Sequence, residues 1–139
     1  MPVLDTSIVV CYLLNEERAA AALALLIDPQ AQAPDIIHLE CSNALVTAVR
    51  RGRIGAAQVP ERLRLVHRLG WATHDHRLLL DQATAISLEH DRRPYDGIFL
   101  ALADRLGTEL ITTDAKLLRG MQGTRYARRI RLLKPATAP

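Results

Sequence analysis

Four acidic side chains stand where their types and settings could do chemistry: Asp5, Glu40, Asp96 and Asp114. Asp5 ends the short apolar run PVLD and is followed by the small hydroxylated residues Thr6 and Ser7. Asp114 follows LITT, whose Thr112 and Thr113 place hydroxyls beside it. Glu40 falls within a predicted helix, with Asn43 and Thr47 three and seven residues on and so on its face. That helix takes its apolar surface from Leu39, Cys41, Leu45, Ala48 and Val49. Asp96 opens the run DGIFLALADRLG, and Asp104 points from its far end in a structural or surface role. Each acid alone reads as readily as a helix cap or a solvated carboxylate. Together in one pocket they cannot all stay ionised without a compensating positive charge. A divalent cation would supply it, and all-oxygen ligands without Cys or His favour Mg²⁺ or Mn²⁺ over Zn²⁺. Such carboxylate sites serve phosphoryl transfer.

Elements that could position these groups are legible from punctuation and periodicity. Helical character covers 7–14 and resumes after Asn15-Glu16-Glu17 as far as about Ile27, where Asp28-Pro29 stops it. Pro34-Asp35 opens a helix running to Arg51, Gly55 to Leu69 a further one, and His76 to His90 another. A helix from near Asp96 to Leu106 ends at Gly107 and is apolar on nearly every side, which predicts deep burial. Strand-like runs are PVLD, Trp71 to Thr73, Glu109 to Thr112 and Ile130 to Leu133. Short strands separated by helices predict an α/β sandwich with a largely parallel sheet. Functional groups gather just past the carboxyl ends of such strands, where Asp5 and Asp114 both stand.

The 139 residues fit one domain, covering 1–134, with a loose tail at 135–139. With 49% hydrophobic but only 4% aromatic residues, the core must be built mainly from Leu, Ile, Val and Ala. Cys11 and Cys41 form no CxxC or zinc-like cluster and read as buried thiols in a reducing, cytoplasmic compartment. No basic stretch leading into a long apolar run opens the chain, and AAAALALLI at 19–27 is too short to span a bilayer, so no membrane partner is expected. Net charge is +3 and the isoelectric point about 9.2. No acid follows Asp114, whereas Lys116, Arg119, Arg125, Arg128, Arg129, Arg131 and Lys134 do, and Arg50, Arg51 and Arg53 form a second cluster. Such patches attract nucleic acid. His74 and His76 flank Asp75 in an HxH pattern without an obvious third ligand, and Trp71 reads as core. GxGxxG, P-loop and GxSxG motifs are absent, which removes nucleotide cofactors and serine hydrolysis from consideration.

The segments VLDTS at 3–7, HLECSNAL at 38–45, YDGIFLALADRLG at 95–107 and LITTDAKL at 110–117 together resemble the PIN-domain family, and specifically the toxin ribonucleases of VapBC toxin–antitoxin pairs. Their order and spacing agree from residue 1 to about 134. The resemblance implies a three-layer α/β/α sandwich. It implies that Asp5, Glu40, Asp96 and Asp114 bind Mg²⁺ or Mn²⁺ and activate water for in-line attack on an RNA phosphodiester. Thr6, Ser7, Asn43 and Thr112 match neighbouring polar positions that would orient water or carboxylates. Some members carry a further acid after the last one; Ala115 and Lys116 stand there instead, leaving fewer ligands for a second ion. A homodimer and an inhibitory antitoxin from the same operon are the implied partners. Two other readings compete. A haloacid-dehalogenase-like phosphatase also begins with an aspartate after its first strand, but wants a second two residues later, where Ser7 stands. A PIN-like module that binds RNA or protein without cutting is the non-enzymatic alternative.

Overall fold

The structure is a computed structural model and describes residues 1–135. Five short strands form one parallel sheet: β1 (Val3–Leu4), β2 (Gln32–Pro34), β3 (Ala72–His74), β4 (Leu110–Thr112) and β5 (Ile130–Leu132), in spatial order β3-β2-β1-β4-β5. Seven helices flank it: α1 (Thr6–Leu13), α2 (Ala19–Leu26), α3 (Ile37–Arg50), α4 (Val59–Arg68), α5 (Leu80–His90), α6 (Pro94–Leu106) and α7 (Ala115–Gly120). This is the expected three-layer α/β/α sandwich. The chain leaves β1 towards β2 and β3, then crosses back to β4 and β5 on the other side. The order therefore reverses between β1 and β4, and the crevice beyond their carboxyl ends is the topological switch point of the sheet.

The core is aliphatic, as composition requires, with Phe99 the largest fully buried side chain. Helix α6 is buried without interruption from Gly97 to Ala103, matching its unbroken apolar run. It begins at Pro94, whose fixed φ and missing N–H suit the first helical position. Asp96 is thus the third residue of the helix rather than its opening residue. Gly97 lies against the backbone of α5: a Cβ there would sit 2.6 Å from the Ala83 carbonyl oxygen, too close to accommodate. Cys11 and Cys41 are buried and free, and Trp71 is buried. No described helix is long and apolar enough to cross a membrane.

Three expectations need correction. Strand β2 was not foreseen, and α3 begins at Ile37 instead of Pro34. Gln-Ala-Pro holds no β-branched or aromatic residue, and proline argues against a central strand. Pro34 is tolerated as the last residue of the strand, while backbone pairing to β1 and β3 holds the segment on both sides. The basic clusters are also partly committed to ion pairs. Arg125 and Arg129 reach Asp104 at 3.1 and 3.3 Å, Arg131 reaches Glu109 at 3.0 Å, and Arg53 reaches Glu16 at 3.4 Å. Asp104, mostly buried, also accepts a hydrogen bond from Gln82 at 2.9 Å. Its role is structural, tying the segment before β5 to α6. Finally, HxH does find neighbours. His76 Nδ1 lies 2.8 Å from Asp35 Oδ1 and 4.0 Å from Asp75 Oδ1. These oxygens are already engaged, because Arg77 pairs with both oxygens of Asp75 and holds its carboxyl down to about 2. The tail at 135–139 lies, beyond Pro135, outside the described residues.

Replacing Gly97 by alanine is expected to lower stability by about 1–3 kcal/mol in urea unfolding, because α5 and α6 must separate to admit the methyl group.

Candidate active site

All four sequence-selected acids stand at the carboxyl edge of the sheet, around the switch point. In a parallel α/β fold, helices following the strands start at this edge, so each acid is also at a helix N-terminus. Asp5 occupies the N-cap position of α1, Glu40 and Asp96 the first turns of α3 and α6, and Asp114 the N-cap of α7. Four positive helix-dipole ends thus help hold negative charge in one small region.

Asp5 is the most firmly fixed. Register pairs Leu4 with Ile111, and the Asp5 N–H donates to the Ile111 carbonyl at 3.0 Å. Although it sits at an N-cap position, its side chain makes no capping bond. Its Oδ2 accepts instead from the Ser7 and Thr112 hydroxyls, each at 2.7 Å. Those hydroxyls are themselves oriented by backbone donors, Thr113 N–H to Ser7 Oγ at 3.0 Å and Asp114 N–H to Thr112 Oγ1 at 3.1 Å. Thr112 is fully buried. Both hydroxyl protons point at one carboxylate oxygen, leaving Asp5 Oδ1 with no side-chain donor among the described residues.

The other acids are held more lightly. Thr6 donates to Glu40 Oε1 at 2.9 Å, leaving Oε2 available. Asp114 Oδ1 caps α7 through the N–H groups of Lys116 at 2.9 Å and Leu117 at 3.2 Å, so the bland capping role leaves Oδ2 without a hydrogen bond among the described residues. The Asp96 carboxylate has no hydrogen-bond partner among the described residues, and its backbone N–H donates to the Arg93 carbonyl at 3.0 Å. Arg92, just before α6, donates to the Lys116 carbonyl at 2.8 Å and fills the space left by Gly120, tying the segment that carries Asp96 to the helix capped by Asp114. Asn43, expected beside the carboxylates, is exposed and bonds to none of them. Leu39, expected on the apolar surface of α3, instead faces solvent.

Electrostatics show that these acids sense one another. Burial raises the carboxyl of Asp5 above its ordinary range against the hydrogen bonds from Thr112 and Ser7, and the charge of Asp114 raises it further. Burial likewise raises Glu40, opposed by the Thr6 hydroxyl and reinforced by Asp5 and Asp96. Burial raises Asp96, with Arg93 opposing and Asp5 and Asp114 reinforcing. Among the described residues none of the four forms a salt bridge. Their free oxygens do not close into a tight triad; among the described residues only Asp35, Asp75 and His76 bring three potential ligand atoms within 4.8 Å of one another. The donor set itself, hard carboxylate oxygens with unspent lone pairs and no salt bridge among the described residues, fits a divalent cation such as Mg²⁺ or Mn²⁺.

Fold and crevice together define an α/β protein with a carboxylate-lined candidate site at a parallel-sheet switch point. The chain belongs to the PIN domain family, whose match covers residues 3–120. It is similar to Ribonuclease VapC3 of Pyrobaculum aerophilum, with 28% identity over 118 residues that make up 83% of this chain and 90% of that protein. A chain of a toxin-antitoxin complex from Klebsiella pneumoniae shares the fold with a TM-score of 0.63 at 20% identity, covering 99% of this chain and 100% of that one. A crystal structure from Pyrobaculum aerophilum does so with a TM-score of 0.67 at 22% identity, covering 88% of this chain and 86% of that one.

The raised carboxyls carry a sign that can be tested. The folded state binds protons at Asp5, Glu40 and Asp96 over a range where the unfolded chain has released them, so these groups erode stability as pH rises from the ordinary values of 3.8 and 4.5 through the raised ones. In EDTA at pH 7, Asp96→Asn is expected to be more stable than the parent by on the order of 1 kcal/mol, with the difference vanishing in acid. Urea titrations at several pH values measure this.

Proposed function

We propose that this chain is a divalent-metal-dependent endoribonuclease, the toxin of a toxin–antitoxin pair. The observation that carries the reading is the gathering of four carboxylates at the switch point with no internal cation paired to any of them. Asp5, Glu40, Asp96 and Asp114 would hold Mg²⁺ or Mn²⁺. Once bound, such an ion supplies neutralising charge for phosphate oxygens and a more acidic water. The chain's own contribution is positional. Ser7 and Thr112 fix Asp5 through one oxygen and leave the other without a side-chain donor, which would be the one offered to the ion. Thr6 fixes Glu40 in the same manner, leaving Oε2 to accept a proton from an attacking water, a role suited to its raised carboxyl. Asp96, unpartnered, is free to adjust its position.

RNA as substrate is supported by the resemblance to a protein named as a ribonuclease. An inhibitory antitoxin is supported by the shared fold with a chain from a toxin-antitoxin complex. A homodimer completes the reading on the family resemblance, with light scattering as its test. Its place of action would be the reducing cytoplasm, which suits two free, buried thiols.

Purified protein incubated with total RNA is expected to cut in Mn²⁺ or Mg²⁺ and to stop in EDTA. Asp5→Asn should lower the rate by about a hundredfold or more, since an amide is a poor ligand for a hard cation. Thr112→Val, isosteric but without the hydroxyl that aims Asp5, should weaken Mn²⁺ binding and cleavage by roughly 10- to 100-fold. Cleavage that persists in EDTA, or at the parent rate in Asp5→Asn, would overturn the proposal.

A further inference from the structure

A groove of ≈ 480 Å³ adjoins the acidic crevice, lined by Leu39, Glu40, Asn43, Arg93 and Tyr95. Its composition differs from that of the crevice. Tyr95, directly before Asp96, is 55% exposed, and Leu39, directly before Glu40, is 74% exposed. Other apolar side chains of this chain are as exposed, Leu88 among them, but these two line one groove with a cation and an amide beside the acids. The Arg93 guanidinium lies 5.9 Å from the centre of the Tyr95 ring. Among the described residues it forms no salt bridge; its charge is felt by Glu40 and Asp96 without closing onto either. Asn43 offers an amide with both donor and acceptor character and no side-chain hydrogen bond among the described residues. Glu40 belongs to groove and crevice alike.

The geometry points to this groove as the seat of one unpaired nucleobase of a single-stranded RNA, stacked on Tyr95 next to the phosphate being cut, with Asn43 reading the base edge and Arg93 holding the neighbouring phosphate. The inference rests on the nuclease reading above and adds to it a residue-level account of base recognition. A flat π-face suits stacking with any base, the amide can discriminate between base edges, and a guanidinium matches phosphate oxygens. The volume lies in the range that accommodates a ligand of nucleoside size, about 300–1,000 Å³. A peptide segment would gain from the apolar walls but would have less use for an unpaired arginine and an amide beside a cation site.

Cleavage sites mapped in total RNA define a short RNA probe, made both intact and with an abasic nucleotide on either side of the cut. Tyr95→Ala is expected to raise KM by roughly tenfold while kcat stays within about twofold. Tyr95→Phe, which keeps the ring, should behave as the parent does. The abasic substitution at the seated position should carry the same penalty for the parent enzyme. Combined with Tyr95→Ala it should add little, as expected for two halves of one contact. Asn43→Ala should flatten the preference among bases at that position. An unchanged KM in Tyr95→Ala, or fully additive penalties at both abasic positions, would overturn the nucleobase seat while leaving the nuclease reading intact. A parent enzyme that cuts no RNA in Mg²⁺ or Mn²⁺ would overturn both.

Discussion

The pairing of β1 with β4 is the constraint on which the candidate site depends. It places the Ile111 carbonyl under the Asp5 N–H and brings Thr112 alongside the Asp5 carboxylate. A carboxylate that would otherwise be a flexible repulsive charge thereby becomes a fixed one, with one oxygen satisfied by two hydroxyls and the other without a side-chain donor among the described residues. Everything else at the crevice is arranged about that point. The helices following the strands begin at the same edge, so their amide ends face the acids without any special design of the loops. Repulsion among the acids is not removed by this arrangement. It is contained by a scaffold whose stability comes from elsewhere.

That elsewhere is the aliphatic core and a small number of polar ties. Asp104 is the clearest example. Burial alone would raise its carboxyl, yet Gln82, Arg125 and Arg129 together hold it below the ordinary range. A group shifted this way stabilises the fold above its unfolded value and loses that contribution as pH falls through the lowered one. Asp5, Glu40 and Asp96 have the opposite sign. The molecule therefore carries two populations of carboxylates, one held low by direct hydrogen bonds and ion pairs that strengthens the fold at neutral pH, and one raised mainly by burial that weakens it. The second population is the one left open to an external cation.

How far the sequence revealed this division depended on separation along the chain. Asp5 and Asp114 were legible because each follows an apolar strand directly, and α6 because its apolar run is unbroken. The hydroxyls of Thr6, Ser7 and Thr112 were legible as neighbours of acids. The arginines that pair with Asp104 lie 21 and 25 residues beyond it, and the Asp35 that meets His76 lies 41 residues before it, so neither contact leaves a local trace. Strand β2 escaped because its pairing is dictated by the strands on either side and not by its own three residues. The exposure of Leu39 was hidden for a related reason: an apolar residue on an amphipathic helix reads as core until the packing partner is known.

The contact between Gly97 and the Ala83 carbonyl also settles how the rim of the site responds to change in the core. Two helices that meet backbone to backbone have a separation set by bonded geometry and atomic radii, not by side chains that can be exchanged for larger or smaller ones. The residue just before that meeting point is Asp96. Its distance from the sheet is therefore insulated from drift in the volumes of the surrounding leucines and isoleucines, so the interior can be rewritten over time without moving the carboxylate at its rim.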